Sequence, residues 1–248
     1  MRYMKPKLLI ALGDSFTEGW GNYDPTKLAE FLLGNKDISH NPNWATPLPE
    51  DRIDKFHEML FLSKSRFLEY SWPNVLKEMM GFDRVINLGR GGSGPSGQVK
   101  RFLSGYGEVD FSVGYDVTVI WLVPSSSRIS FFINGLVKDI HINNNRNEYS
   151  KLITGLLELM KNPEEDLHLE RDFYIQIIKY FCQLRGYKFY FDFLFKEGAD
   201  RNVSYLQEDA YLNIKFPQLT PENTSFCSHF NEIGYAELAN NIFDRLKL

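Results

Sequence analysis

A serine stands where a short buried strand would end, early in the chain. The apolar run Leu8-Leu9-Ile10-Ala11-Leu12 is followed directly by Gly13-Asp14-Ser15-Phe16-Thr17-Glu18-Gly19. A short apolar run before a glycine is typical of a parallel strand, and open α/β sheets bind ligands at the carboxyl ends of such strands. A serine at that position can act as a nucleophile if a base reaches its hydroxyl. The candidate base is His229.

Three segments resemble the sequence blocks of the SGNH/GDSL hydrolase family. The segment from Gly13 to Gly19 resembles block I, Asn87-Leu88-Gly89-Arg90-Gly91-Gly92 resembles block II, and His229-Phe230-Asn231-Glu232-Ile233-Gly234-Tyr235 resembles block V. The resemblance implies ester hydrolysis in which Ser15 attacks the carbonyl carbon and His229 removes and returns its proton. It also implies that Asp14 mainly braces the turn before the serine.

Ester hydrolysis also needs hydrogen-bond donors for the oxyanion of the tetrahedral intermediate. The resemblance implies the Ser15 N–H and a block II glycine N–H, for which Gly92 is the best match and Gly91 a near alternative. The family's third donor is an asparagine after the third strand, and counting from Asp116 places Ser125 there. Either Ser125 donates in place of that asparagine, or the run of three serines that begins with it only solvates a loop.

The carboxylate that orients the histidine in the family has no counterpart at the expected place. Phe226 and Cys227 lie three and two residues before His229, where the family has an aspartate. Two arrangements stay open: a Ser15–His229 dyad with a backbone carbonyl at the imidazole, or a carboxylate from elsewhere in the chain. The candidates for that carboxylate are Asp209, Glu222 and Glu232. Loss of the orienting carboxylate of a triad can lower turnover by about 10⁴.

A branch of the family from phage and bacterial genomes resembles this chain in two further features. One is the helix start Ser71-Trp72-Pro73 before block II, and the other is an arginine shortly after the third strand, here Arg128. An arginine at the mouth of the site would bind a carboxylate or phosphate of the substrate through two parallel hydrogen bonds. The alternative is that Arg128 is a surface or helix-capping charge.

Strands that alternate with helices predict the fold class. The pattern indicates parallel βαβ units in a three-layer α/β/α sandwich with a mainly parallel, flavodoxin-like central sheet. The predicted strands span residues 7–12, 85–88, 116–123 and 187–193; the predicted helices span about 51–69, 71–80, 148–161, 170–185 and 231–247, with one more around Val99 to Leu103. We expect one domain over residues 1–248, with insertions at about 20–70 and 128–147.

Composition and charge limit the classes of partner that the chain can have. The 248 residues carry a net charge of −4 and no strongly basic stretch, which weighs against nucleic acid as the main partner. The apolar run after Arg2, Lys5 and Lys7 is too short for a signal peptide or a membrane helix. We therefore expect no membrane partner and a cytoplasmic location, or a virion-associated one if the gene belongs to a phage.

Cysteine and histidine spacing indicates no metal site, and the proposed chemistry implies no cofactor. Cys182 and Cys227 form neither a disulfide framework nor the paired spacing of a zinc site, and Cys182 falls in an amphipathic helix, which predicts a core position. The other four histidines show no ligand spacing and are predicted at the surface: His40, His57, His141 and His168.

The sequence as a whole predicts a serine esterase that acts on a small ester or a carbohydrate O-acetyl group. One alternative is a catalytically weakened protein of the same fold that binds a carbohydrate or another ligand. Another is an accessory structural protein of a phage particle. The missing aspartate and asparagine favour the binding alternative, whereas block I and His229 favour the esterase. The oligomeric state is left open by the sequence.

Overall fold

A computed structural model describes the chain as a mixed α/β fold. The residues described are 4–23, 58–59, 61–108, 112–126, 128–133, 136–141, 150–160, 162–194, 208–220, 222–223 and 229–247. They form two compact units. The sheet unit comprises Met1–Asp14 and Phe82–Asn213, and the helical unit comprises Ser15–Gly81 and Ile214–Leu248. The expectation of a single domain stays a prediction.

The sheet unit contains a central sheet of four parallel strands. Its strands are β1 (Lys7–Leu12), β2 (Arg84–Asn87), β3 (Asp116–Val123) and β6 (Lys188–Phe193), and their order is β2-β1-β3-β6. Every residue of β1 and β3 after the first is buried, which is why both read as continuous apolar runs. The predicted α/β class with a mainly parallel sheet is confirmed. β1 and β3 have their predicted limits, and β2 and β6 differ from theirs by one residue.

The strand order reverses between β1 and β3. β2 lies on one side of β1, and β3 and β6 follow on the other. In open α/β sheets, ligands bind outside the carboxyl ends of the strands at such a reversal. The segments that leave these ends are Gly13-Asp14 after β1, the glycine-rich turn after β2, and Pro124-Ser125-Ser126 after β3.

Helices and aromatic strand residues build the core of the sheet unit. α4 (Pro95–Glu108) and α6 (Pro163–Arg185) contribute Val99, Phe102, Ile175, Ile178 and Cys182; β6 contributes Phe189, Phe191 and Phe193. α5 spans Ser150–Leu159. The core position predicted for Cys182 is therefore confirmed, since its side chain has no exposed surface.

Two sequence-based expectations about α6 are wrong. The helix begins at Pro163 rather than near residue 170, because proline is well suited to a first helical turn and the polar residues after it carry little apolar periodicity. His168, predicted at the surface, is 3% exposed within this early part of the helix. The side chains of His40, His57 and His141 lie outside the described residues.

The segment predicted as an insertion at 128–147 begins with a hairpin. β4 (Arg128–Ile133) and β5 (Leu136–His141) pair antiparallel as a separate two-stranded sheet. The insertion was predicted without strands, whereas residues 128–133 and 136–141 are strands. Four of the six residues of β4 are β-branched or aromatic: Ile129, Phe131, Phe132 and Ile133. Residues 24–57, most of the other predicted insertion, lie outside the described residues.

The helical unit contains α1 (Ser15–Glu18), α2 (Lys64–Tyr70), α3 (Trp72–Met80) and α7 (Glu232–Leu246). α3 packs against α7, and its Trp72 and Leu76 are fully buried. α3 ends at Gly81, whose left-handed backbone suits glycine, as the sequence predicts. α7 begins one residue after the predicted start. Its buried face carries Tyr235, Leu238, Ala239 and Ile242.

Candidate active site

Ser15 is the first residue of the four-residue helix α1 and is 5% exposed. Its carbonyl oxygen accepts hydrogen bonds from the N–H groups of Gly19 and Trp20, both at 3.0 Å. Gly19 has φ +97°, and a Cβ built on it would lie 2.1 Å from the carbonyl oxygen of Phe67. Only glycine therefore fits this turn, which passes close to α2 directly after the serine helix.

The helical unit brings Ser15 and His229 together from 214 residues apart in sequence. The His229 Nε2 lies 2.7 Å from the Ser15 Oγ, a normal length for a hydrogen bond between these atoms. When the Nδ1 of a neutral histidine carries the proton, Nε2 is an acceptor and can take the serine proton. This pair has the geometry of a nucleophile and its general base.

The start of α7 positions the histidine. Asn231, two residues after His229, is the N-cap: its side-chain oxygen accepts from the N–H groups of Ile233 and Gly234 at 3.0 and 3.2 Å. Its side-chain amide donates to the Glu222 carbonyl at 2.7 Å, and its own N–H donates to the Asn223 carbonyl at 2.9 Å. These four bonds join the His229 segment to the helix and to the loop at residues 222–223.

Two aromatic rings contact the imidazole of His229. The ring centroid of Phe16 lies 4.8 Å from that of His229, and the ring centroid of Trp20 lies 5.7 Å from it. Phe16 also packs edge-on against Phe230, and Phe230 against Tyr235. Sequence reasoning missed both contacts, because the aromatic residues around Ser15 gave no sign of where the imidazole would lie.

Two of the three carboxylates proposed to orient His229 have other partners. Glu232 forms an ion pair with Arg66 of α2. The pKa of Glu222 is lowered because its carboxylate accepts hydrogen bonds from its own N–H and from the Thr220 side chain. Asp209 belongs to the sheet unit. Phe226 and Cys227 lie outside the described residues, so the choice between a backbone carbonyl and a carboxylate stays open.

Asp14 and Arg128 form an ion pair within the sheet unit. The Arg128 Nη1 donates to the Asp14 Oδ2 at 2.7 Å; the Asp14 side chain is fully buried and that of Arg128 is 20% exposed. Arg128 was predicted as a substrate ligand, and the structure places its guanidinium on the carboxylate that precedes Ser15. The bracing role implied for Asp14 agrees with this pair, since a buried carboxylate needs a partner.

Gly92 follows β2 and Ser125 follows β3, the two strands that lie on either side of β1 in the sheet unit. The turn that contains Gly92 is joined to the end of β1 by hydrogen bonds from Leu88 N–H to Ala11 O (2.9 Å) and from Arg90 N–H to Gly13 O (3.2 Å). Gly92 has φ +75°, and Ser125 is 8% exposed. Both therefore lie on the same edge of the sheet. Their assignment as oxyanion donors stays a prediction.

Arg128 also lines a shallow cleft of the sheet unit together with Ser96, Ser126, Glu170 and Tyr174. Burial and the Glu170 charge raise the pKa of Tyr174, whose hydroxyl donates to that carboxylate at 3.0 Å.

Among the residues that the structure describes, no group of histidine, cysteine and acidic side chains is arranged to hold a metal ion. Within the same residues, no helix is long and apolar enough to cross a membrane.

Comparisons with known proteins support the fold. No protein-family model and no curated protein matches the chain. Among solved structures, the chain is similar to a carbohydrate esterase whose active site displays divergent catalytic and non-catalytic binding functions. The TM-score is 0.56 and the sequence identity is 14%, and the match covers 99% of this chain and 70% of the esterase. It is also similar to the acetyl xylan esterase Est2A from the rumen bacterium Butyrivibrio proteoclasticus, with a TM-score of 0.47 and 16% identity. That match covers all of this chain and 65% of the enzyme, just under two thirds of its length. The chain thus shares its fold with the first of these esterases.

Proposed function

We propose that the chain is a serine esterase that hydrolyses a small ester or a carbohydrate O-acetyl group. The observation that carries this proposal is the 2.7 Å hydrogen bond between His229 Nε2 and Ser15 Oγ. It is supported by the fold shared with a carbohydrate esterase, which favours a carbohydrate ester as the substrate. The O-acetyl group is the expectation drawn from the sequence.

The proposed reaction has two half-reactions. The Ser15 Oγ bonds to the carbonyl carbon while His229 Nε2 takes the hydroxyl proton, and the carbonyl oxygen becomes an oxyanion. The bond to the leaving alcohol then breaks, and the imidazolium gives its proton to the alcohol oxygen. Water attacks the acyl-serine, His229 takes a proton from the water, and the acid leaves as Ser15 regains the proton.

The proposed oxyanion donors are the N–H groups of Ser15 and Gly92 and the hydroxyl of Ser125. Ser125 stands where the resembled family has an asparagine, and a hydroxyl is shorter than an amide and rotates. Removal of one oxyanion donor costs about 3–4 kcal/mol of transition-state stabilisation. The Ser125→Ala variant therefore distinguishes the two roles of this serine. If Ser125 is an oxyanion donor, turnover should slow by about two orders of magnitude or more; if it only solvates a loop, turnover should not change.

Hydrolysis of p-nitrophenyl acetate and of an acetylated oligosaccharide tests the proposal. We expect turnover by the wild type and its loss in Ser15→Ala and His229→Gln. Ser104→Ala, which changes an exposed serine of α4, is the matched control and should retain turnover. Equal release of acetate by all four proteins would contradict the esterase.

A non-catalytic binding function is the second candidate. It is favoured by two sequence observations: Phe226 and Cys227 replace the expected aspartate, and Ser125 replaces the expected asparagine. In that case, the wild type would bind an acetylated oligosaccharide without hydrolysing it, and Ser15→Ala would bind it equally well. Isothermal titration with the uncleaved oligosaccharide, followed by analysis of the recovered ligand, distinguishes the two functions.

A further inference from the structure

The turn that carries the nucleophile also carries the two rings that contact the base. Phe16 is the residue after Ser15, and the Trp20 N–H is hydrogen-bonded to the Ser15 carbonyl. Both rings lie within 6 Å of the His229 imidazole, measured between ring centroids. The positions of the serine hydroxyl and of the two rings therefore depend on one short backbone segment.

Trp20 is itself held at two points, one on its side chain and one on its backbone. The indole Nε1 donates to Glu18 Oε2 at 2.9 Å, and the Trp20 backbone carbonyl accepts from the Tyr235 hydroxyl at 2.7 Å. Tyr235 is fully buried in α7, the helix that follows His229. Trp20 is thus connected to α1 through its side chain and to α7, the helix beside the histidine, through its backbone.

We propose that Phe16 and Trp20 are positioning residues that hold the His229 imidazole in line with the Ser15 hydroxyl. This inference rests on the proposed esterase function. In a serine triad, a carboxylate keeps the imidazole oriented and stabilises the imidazolium. Here the Glu18 carboxylate accepts the hydrogen bond from the indole Nε1 and so fixes the ring that contacts the imidazole. An indole within about 6 Å of a cation attracts it, so this ring would stabilise the imidazolium that forms during the reaction.

The aromatic contacts restrict the imidazole differently from a hydrogen bond. Rings packed at 4.8 and 5.7 Å limit rotation of the histidine side chain about its bonds, and they leave Nε2 directed at the serine. Phe230, the next residue, packs against Phe16 and Tyr235 and holds the backbone at the same place. The inference requires these packing contacts and is compatible with any partner of Nδ1.

Steady-state kinetics of ring variants test the inference in the full chain. Trp20→Leu should slow turnover about 10-fold, because a 10-fold change in rate is the scale of one cation–π contact. KM should change less than twofold. Trp20→Phe keeps a ring and should recover most of that loss. Phe173→Leu, at a 62% exposed position of α6, is the control and should match the wild type. A wild-type kcat in Trp20→Leu, a rise in KM alone, or no recovery in Trp20→Phe would overturn the inference.

Nuclear magnetic resonance of the His229 ring nitrogens separates this inference from the esterase proposal. We expect one dominant tautomer in the wild type and an averaged signal in Trp20→Leu, with Phe173→Leu unchanged. If the wild type hydrolyses no ester but this difference is present, the esterase proposal fails and the positioning role stands. If the wild type is active and the ring nitrogens are the same in Trp20→Leu, the positioning role fails and the esterase stands. If Trp20→Leu does not fold, the milder variant Glu18→Gln replaces it in the same measurement of the His229 ring nitrogens.

Discussion

The guanidinium of Arg128 lies 2.7 Å from the fully buried carboxylate of Asp14, the residue directly before Ser15. The pair joins Arg128, the first residue of β4, to the segment that follows β1 within the sheet unit. Because the Asp14 side chain has no contact with solvent, Arg128 compensates a charge that water cannot stabilise. The pair therefore stabilises the sheet unit and, in the same contact, holds the residue directly before the nucleophile.

Removal of Arg128 should destabilise the protein more than it weakens substrate binding. Arg128→Met leaves the buried Asp14 charge without this partner and should lower the free energy of unfolding by about 3 kcal/mol. The double variant Asp14→Asn with Arg128→Met should recover part of that loss. Urea denaturation measures both. Wild-type stability in Arg128→Met, together with a raised KM, would instead assign Arg128 to the substrate.

The backbone at Gly19 lies so close to the Phe67 carbonyl that a substitution there should cost more stability than backbone strain alone. Gly19→Ala combines φ +97° with a Cβ 2.1 Å from the Phe67 carbonyl, and it should cost about 3 kcal/mol. Gly81→Ala is the matched control, because Gly81 has φ +63° and an added Cβ there would meet nothing within 4 Å. It should cost about 1 kcal/mol. Equal shifts of the urea midpoint in the two variants would contradict the close approach.

Asn231 should matter for both stability and activity. Asn231→Ala removes the N-cap of α7 and should lower the free energy of unfolding by about 1 kcal/mol. Because Asn231 also joins the His229 segment to the loop at residues 222–223, we expect kcat to fall as well. Asn240→Ala, at an exposed position of the same helix, should leave kcat unchanged. If both variants have the same kcat, the cap does not position the histidine.

Burial raises the pKa of the Cys182 thiol to about 12, from an ordinary value of 9.0. The unfolded chain then loses this proton above pH 9 while the folded chain keeps it, so stability is lost as the pH rises from about 9 towards 12. At pH 10 this one group should lower the free energy of unfolding by about 1.4 kcal/mol relative to pH 8. Urea denaturation at the two pH values should show a smaller difference in Cys182→Ala. An identical difference in both proteins would contradict the raised pKa.

The sequence predicted those parts of the fold and site that depend on local pattern. Continuous apolar runs gave the limits of β1 and β3, and block I and block V indicated Ser15 and His229, which the helical unit places in hydrogen-bond contact. The hairpin of β4 and β5 was missed because its polar continuation obscured the strand pattern. The Asp14–Arg128 pair was not predicted because its members lie 114 residues apart, and charge type alone does not reveal a partner.

Labelling by a fluorophosphonate, with the modified residue identified by tandem mass spectrometry, tests the central claim most directly. An activated serine reacts with this reagent, whereas an ordinary hydroxyl does not. We predict one adduct per chain on Ser15, no adduct in Ser15→Ala, and much slower labelling in His229→Gln, with Ser104→Ala labelled like the wild type. No adduct on the folded wild type, an adduct on another residue, or equal rates in His229→Gln would contradict the assignment of Ser15 and His229 as nucleophile and base.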